Sequence, residues 1–347
     1  MRGINDIRKE RNVVMKALVY EGPKLMNIRE QPVPVPKKDE VLIRVERAGI
    51  CGSELGGYLG QNSLRHPPLV MGHEFSGTIA QVGEAVTRFQ ISDRVTANPL
   101  ISCGICGYCQ SGREQLCQER KLLGAHCPGA YAEYVVVPEK NTYLLQDHVS
   151  FEEGAFTEPF ACAVHICRLL SLKPSDQLLI VGAGPIGLFT LIAAQVMGLR
   201  HIVVIDLNEG RLEIAREMGA RAVPSLDALG QESANRGFDA AVDAVGLAVT
   251  RSQCMTSVKS GGHVIFTGLH EADSRLPINT IIRNEVSMHG SFAYSHDDFE
   301  TALHWIEDGK VHLEPWTLQA PLEEGGACFE HLIGNAGKIA KILLTMA

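Results

Sequence analysis

Four cysteines, Cys103, Cys106, Cys109 and Cys117, stand in the spacing C-x2-C-x2-C-x7-C, and no other feature restricts the local fold as tightly. Thiolates this close along a chain can converge on one tetrahedral Zn²⁺ at Zn–S distances of about 2.3 Å. Gly104, Gly107 and Gly112 fall between them, where backbone wrapping a metal must bend sharply. Disulfide pairing and iron–sulfur ligation are alternatives that spacing leaves open, the first suited to a secreted chain. A zinc with four protein ligands has no open position. The loop is therefore expected to stabilise a lobe and to do no chemistry.

A length of 347 residues exceeds what one core usually supports, so two domains are expected. A net charge of −8 argues against a nucleic-acid partner, which needs a basic face. The opening segment MRGINDIRKERNVV lacks the apolar centre of a signal peptide. With that opening, ten cysteines fit reduced, metal-binding thiols and a cytoplasmic location. The uncharged stretch from Leu178 to Leu199 is long enough to span a bilayer. Gly182, Gly184, Pro185 and Gly187 break it early, so it reads as strand, turn and buried helix, with no membrane partner expected.

Residues 1–14 are polar and patternless and are expected to form a flexible extension. Residues 15–160 carry short β-type runs, VLIRVERAGI (41–50), FSGTIAQVG (75–83) and AEYVVVP (132–138), separated by turn residues. This part is expected to be a β-rich barrel or sandwich. Across residues 161–293 strands alternate with helices: LLIVGA, an apolar helix through Met197, IVVID, GRLEIAREMGA, FDAAVDAVG, HVIFTG and VSMHGSF. That alternation predicts an α/β, doubly wound parallel sheet. Residues 294–347, with an amphipathic helix around DDFETALHWIEDGKV and a final strand KIAKILLTM, are expected to return to the first domain.

Gly182-Ala183-Gly184-Pro185-Ile186-Gly187 follows a strand and opens a helix, the context that turns a common G-x-G-x-x-G pattern into a dinucleotide signal. Gly182 permits the tight turn, Gly184 admits the pyrophosphate, and Gly187 lets helix and strand pack closely. The helix N-terminus then receives the phosphates. Asp206 closes the next strand, nineteen residues after Gly187, where a carboxylate accepts from ribose hydroxyls and repels a 2′-phosphate. NAD is thereby favoured over NADP, although Arg211 lies near enough to soften the repulsion. A packing turn that binds nothing is the alternative.

Cys51 in GICGSE, His73 and Glu74 in GHEFSG, and Glu158 in TEPFACAVH all lie beside glycines or at the junction of the two patterns. Singly, each has an ordinary reading as a buried thiol, a core histidine or a helix-start acid. With the cysteine loop and the glycine turn in this order, the chain from about Met15 onward resembles the zinc-dependent medium-chain dehydrogenase/reductase family, closest to its sorbitol/polyol branch. The resemblance implies a chaperonin-10-like β-rich catalytic domain plus a Rossmann coenzyme domain, two zincs per chain, and NAD. It implies that Cys51, His73 and Glu158 hold a catalytic zinc, directly or through one water. Glu74 would stand beside the metal, able to enter its shell, and Cys162 is the rival for Glu158.

An open zinc site lowers the pKa of an alcohol so that hydride can pass to the nicotinamide. Ser53, two residues after Cys51, would take the alcohol proton; its other reading is a turn hydroxyl. The chain departs from its relatives beyond Ser53, where Gly56 and Gly57 stand in place of a histidine and Glu54 in place of an aspartate. Tyr58 is a candidate for relay, substrate contact or packing. The expected substrate is a polyol, sugar derivative or other secondary alcohol, oxidised to a ketone. L-threonine 3-dehydrogenase and butanediol dehydrogenase share the machinery, and a non-catalytic zinc and nucleotide binder is the remaining alternative. A phosphorylated substrate would need a basic cluster, for which Arg65 with His66 is a faint candidate. By the same resemblance the chain forms homodimers or homotetramers, with 285–294 supplying a sheet edge for pairing.

Overall fold

The computed structural model describes residues 13–62, 64–229 and 237–346. Among the described residues, the larger hydrophobic clusters lie around a mixed β-system and on the two faces of a parallel sheet. The strand Glu40–Gly49 is the centre of the first. It pairs antiparallel with Glu74–Val82 along one side, and with Tyr134–Pro138 and Lys341–Thr345 along the other. Val41, Ile43 and Val45 on this strand are fully buried, which fixes its register because a one-residue slip would turn them outward. The last strand, Lys341–Thr345, thus lies in the sheet that carries Cys51 and His73 at its ends, and it also pairs parallel with Thr317–Pro321.

The second sheet has six parallel strands in the order Arg221–Val223, His201–Ile205, Gln177–Val181, Phe238–Asp243, Val258–Phe266 and Ser287–Gly290. Counted along the chain this order is 3-2-1-4-5-6, the doubly wound arrangement, with its switch point between Gln177–Val181 and Phe238–Asp243. Ligands of such sheets lie beyond the carboxyl ends of the strands at that point. Gly182 follows Val181 there, so topology brings the glycine turn to the crevice.

The helix Phe151–Leu170 is absent from the periodicity reading, because it is buried on nearly all sides and carries Pro159 within it. An all-round apolar helix shows no amphipathic stripe. Its start is fixed by a capping box: Glu153 N donates to Ser150 Oγ at 3.1 Å, and Ser150 N donates to Glu153 Oε2 at 2.7 Å. The helix runs unbroken across the boundary expected at 160/161 and packs against both sheets. Of the expected extension, residues 1–12 lie outside the described residues. Val13 and Val14 belong to the fold: Val33 N donates to Val13 O at 2.9 Å, and the strand Val14–Gly22 starts there. No helix among the described residues is long and apolar enough to cross a membrane.

Candidate active site and metal centres

Cys51 ends the stretch after Glu40–Gly49 and occupies the N-cap of the short helix Gly52–Tyr58, which presents Ser53 and Glu54 one turn into the site. His73 and Glu74 stand at the start of the neighbouring strand. The geometry brings one ligand atom each from Cys51, His73 and Glu74 within 4.8 Å of one another. A thiolate, an imidazole and a carboxylate at that separation suit one Zn²⁺. Glu74 Oε1 is buried with no hydrogen-bond partner, which suits a ligand to a cation.

Glu54 orients this set. Its Oε1 accepts from Gly72 N at 2.8 Å and faces His73 Nδ1 at 3.0 Å; its Oε2 accepts from Cys51 N at 3.2 Å and from the Tyr131 hydroxyl. Burial alone would push this carboxyl up. The charge and hydrogen bond of His73, with Arg65 acting through space and Tyr131 donating, outweigh burial and hold it at about 2. Glu54 stays ionised and accepts a hydrogen bond from His73 Nδ1–H, which leaves Nε2 for a metal. Burial also opposes charge on His73, but Glu54 and Cys51 win and raise it well above the ordinary histidine value.

Glu158 projects from the helix Phe151–Leu170 and lies outside the 4.8 Å set. The Tyr294 hydroxyl donates to its Oε1 at 2.8 Å. Burial pushes its carboxyl up to about 7, with His73 pulling down and Glu74 adding to the rise. It therefore shares the electrostatics of the site while its carboxylate is held back by Tyr294. Burial raises the Cys162 thiol well above the ordinary range, and Glu158, Cys51 and Glu74 add to the effect. Cys162 also lies outside the 4.8 Å set.

Two side chains at the site make contacts that the sequence reading did not foresee: Lys341, which it did not name, and Arg65, which it named only as a faint candidate for holding a phosphate. Lys341, 1% exposed, presses its Nζ against Glu74 Oε2. The signal was a lysine between the apolar residues Ile339-Ala340 and Ile342-Leu343-Leu344 at the start of the last strand, a position that burial disfavours without a partner. Arg65 reaches Ser53, with Nη2 donating to Ser53 Oγ and Nη1 to Ser53 O, both at 3.2 Å. Ser53 Oγ in turn lies 3.4 Å from Cys51 Sγ. Tyr58, in contrast, is packing: its hydroxyl donates to Glu330 Oε1 at 2.6 Å, tying Gly52–Tyr58 to the helix Gly325–Asn335.

The Sγ atoms of Cys103, Cys106, Cys109 and Cys117 all lie within 4.8 Å of one another. Cys106 and Cys109 are 3.5 Å apart and Cys103 and Cys109 3.9 Å. A tetrahedron with Zn–S of about 2.3 Å has an edge of about 3.8 Å, so these thiols fit zinc and are too far apart for disulfides. Backbone N–H groups of Ile105 and Cys106 lower the Cys103 thiol to about 6, favouring the thiolate. Cys106→Ser should remove one zinc per chain by elemental analysis and lower the melting temperature by roughly 5–15 °C. Unchanged zinc content in that variant would rule the loop out as a metal site.

At the switch point Gly182 has φ +105°, and a Cβ on Gly187 would collide with Gly182 O. A Cβ on Gly184, the N-cap of the helix Pro185–Val196, would meet nothing within 4 Å. The turn is thus tight toward the protein and open where a pyrophosphate would lie, with Ile186 in the first turn. Asp206 Oδ2 accepts from Ala183 N at 2.7 Å and Oδ1 from Asn208 N at 2.8 Å, which fixes its carboxylate beside the turn. Arg211, in the first turn of Glu209–Glu217, has a buried Nε without a partner.

Residues 37–147 match the alcohol dehydrogenase GroES-like domain, and residues 185–308 match the zinc-binding dehydrogenase domain. Sorbitol dehydrogenase of Bacillus subtilis is 35% identical over 346 residues, covering 95% of this chain and 97% of that one. L-idonate 5-dehydrogenase of Vitis vinifera is 33% identical over 308 residues, covering 85% and 84%. Among solved structures, an alcohol dehydrogenase of Escherichia coli complexed with NADH superposes with a TM-score of 0.90 at 29% identity, covering 96% and 99%.

Proposed function

The chain belongs to the zinc-dependent medium-chain dehydrogenase/reductase family, in its polyol branch, and from that premise we propose how its residues divide the work. It is an NAD-dependent oxidoreductase of alcohols and polyols. The observation that carries the assignment of roles is the convergence of Cys51, His73 and Glu74 beside the Ser53 hydroxyl.

When bound, zinc supplies Lewis acidity toward an alcohol oxygen, and NAD accepts the hydride. Cys51 and His73 would hold the catalytic zinc, with Glu74 and Glu158 beside them as the carboxylates that could complete its shell. Glu54 sets the tautomer and orientation of His73. Tyr294 holds Glu158, and Lys341 balances Glu74. Ser53 receives the alcohol proton through Oγ. Arg65 has no acceptor and cannot take that proton onward, so it leaves through water or a ribose hydroxyl. Cys103, Cys106, Cys109 and Cys117 hold the structural zinc. Gly182, Gly184, Pro185, Ile186 and Gly187 cradle the pyrophosphate, and Asp206 binds the adenosine ribose, with Arg211 beside it.

The substrate is a secondary alcohol of a polyol or sugar derivative, converted to the ketone. The edge strand Ser287–Gly290 of the parallel sheet is the proposed pairing surface for a homodimer or homotetramer. Ten free thiols support a reducing, cytoplasmic setting.

The test is NAD(P)H formation over polyols, sugar acids, butanediol and L-threonine, on protein with two zincs per chain. Turnover of a polyol or sugar derivative is expected, with NAD⁺ preferred over NADP⁺ by tenfold or more. Asp206→Ala should shrink that preference by about tenfold, since a good hydrogen bond to a charged group contributes about 1.5–3 kcal/mol. L-Threonine or butanediol as the sole substrate would replace the polyol reading. Silence with two zincs bound would remove the assignment of roles.

A further inference from the structure

Arg65 carries more than the proton argument uses. It is 4% exposed, yet its Nε has no hydrogen-bond partner. Its side chain folds back along the helix Gly52–Tyr58 and places the guanidinium on Ser53. Gly57 makes that path possible. It stands four residues after Ser53, on the same helix face, and a Cβ there would lie 2.6 Å from Arg65 Cδ. The chain has given up a side chain where the arginine stem runs.

A guanidinium has five N–H donors, no acceptor and a permanent charge. Ser53 takes two of the donors. Glu54 takes none, because His73, Tyr131 and the Cys51 and Gly72 N–H groups occupy its oxygens. A buried cation with unfilled donors is costly until an acceptor arrives. The position of the gap is telling. The hydroxyl that Arg65 holds is itself 3.4 Å from Cys51 Sγ, so the guanidinium stands one hydroxyl away from the metal cluster.

Building on the dehydrogenase reading, we propose that Arg65 is a specificity-determining residue that receives a substrate carboxylate, which makes acidic polyols of the sugar-acid type the preferred class. A carboxylate matches one guanidinium in charge and in its paired oxygens. A phosphate dianion would call for a second free cation. His66 is exposed, and Lys341 is engaged by Glu74.

The experiment compares an aldonate with the alditol of the same carbon chain, and with the corresponding sugar phosphate, on zinc-loaded enzyme with NAD⁺. The aldonate is expected to have a kcat/KM at least tenfold above the alditol, mostly through KM. Arg65→Gln should bring that ratio to about one, and Arg65→Lys should keep part of it. Binding of a non-oxidisable dicarboxylate to the NADH complex, followed by nucleotide fluorescence, should weaken at least tenfold in Arg65→Gln.

An alditol preference in the unaltered enzyme overturns the proposal while leaving the dehydrogenase standing. So does an equal loss for both substrates in Arg65→Gln, which would make Arg65 only a support for Ser53. A sugar phosphate outrunning the aldonate also overturns it. Silence toward every alcohol with two zincs bound removes the dehydrogenase role assignment, and this proposal with it.

Discussion

Glu54→Leu will strip the first metal site and lower kcat/KM by at least 100-fold, while the cysteine loop keeps its zinc. The reason is the number of groups that end on one buried carboxylate. Four donors meet there: His73 Nδ1, the Tyr131 hydroxyl and the N–H groups of Cys51 and Gly72. Two of the four belong to residues that form the metal cluster. Supporting carboxylates of this kind typically contribute about 10–100-fold in metal affinity or activity. Their loss also leaves buried donors unpaired, at about 3–5 kcal/mol when a charged partner is removed. Glu54→Gln separates the two effects. Its shape is kept, but an amide N–H facing His73 moves the imidazole proton to Nε2, where it blocks a ligand. That variant should stay folded and still lose the first zinc. Elemental analysis, thermal denaturation and steady-state kinetics together decide. Two zincs per chain with activity within threefold of the parent in Glu54→Gln would sink the orienting role.

What the sequence revealed of this site, and what it hid, follows from how far apart the parts lie along the chain. The Cys103–Cys117 loop and the Gly182–Gly187 turn are local, so spacing alone carries their chemistry. Both fold as spacing implies. Cys51, His73 and Glu74 each have an ordinary reading taken singly, and only the family resemblance joined them into one site, because they lie apart along the chain. Glu158 was placed at the site by resemblance. The structure puts it nearby but under the hold of Tyr294, a residue 136 positions away that no local pattern connects to it. Arg65 was legible as a charge and not as a contact, because the room it uses is the missing side chain of Gly57. The helix Phe151–Leu170 was hidden by its own burial. Periodicity shows only where one face meets water.

Lys341→Met will make the zinc-free protein less stable and yet hold the first zinc more tightly. Lys341 and Glu74 are each 1% exposed, and the ammonium rests against Glu74 Oε2 in the middle of the fold. Removing one partner of a buried pair costs about 3–5 kcal/mol, because the other charge stays behind without compensation. Burial works to lower the pKa of Lys341, but Glu74 and Cys51 win and raise it. A lysine raised in this way contributes stability that is fully present below its unfolded pKa of about 10.4, and that is lost as pH rises through the higher folded value. The lysine's own titration adds no slope between pH 6 and 9. Burial holds the Glu158 carboxyl at about 7 while Lys341 works to lower it, and Lys341→Met takes that help away. The penalty should therefore grow with pH across this window, and a penalty that shrinks would show that the ammonium is not what these carboxyls depend on. Zinc reverses the sign. A divalent cation beside Cys51, His73 and Glu74 is repelled by the ammonium and competes with it for the same carboxylate. Without Lys341, Glu74 turns fully to the metal, zinc release to a chelator should slow about tenfold, and turnover should fall because the open position is more often filled. Glu74→Gln combined with Lys341→Met should recover at least half of the lost zinc-free stability, as expected of two residues in direct contact. Additive losses in the double variant, or zinc released faster from Lys341→Met, would mean that the lysine merely fills space in the last strand rather than holding Glu74 off the metal.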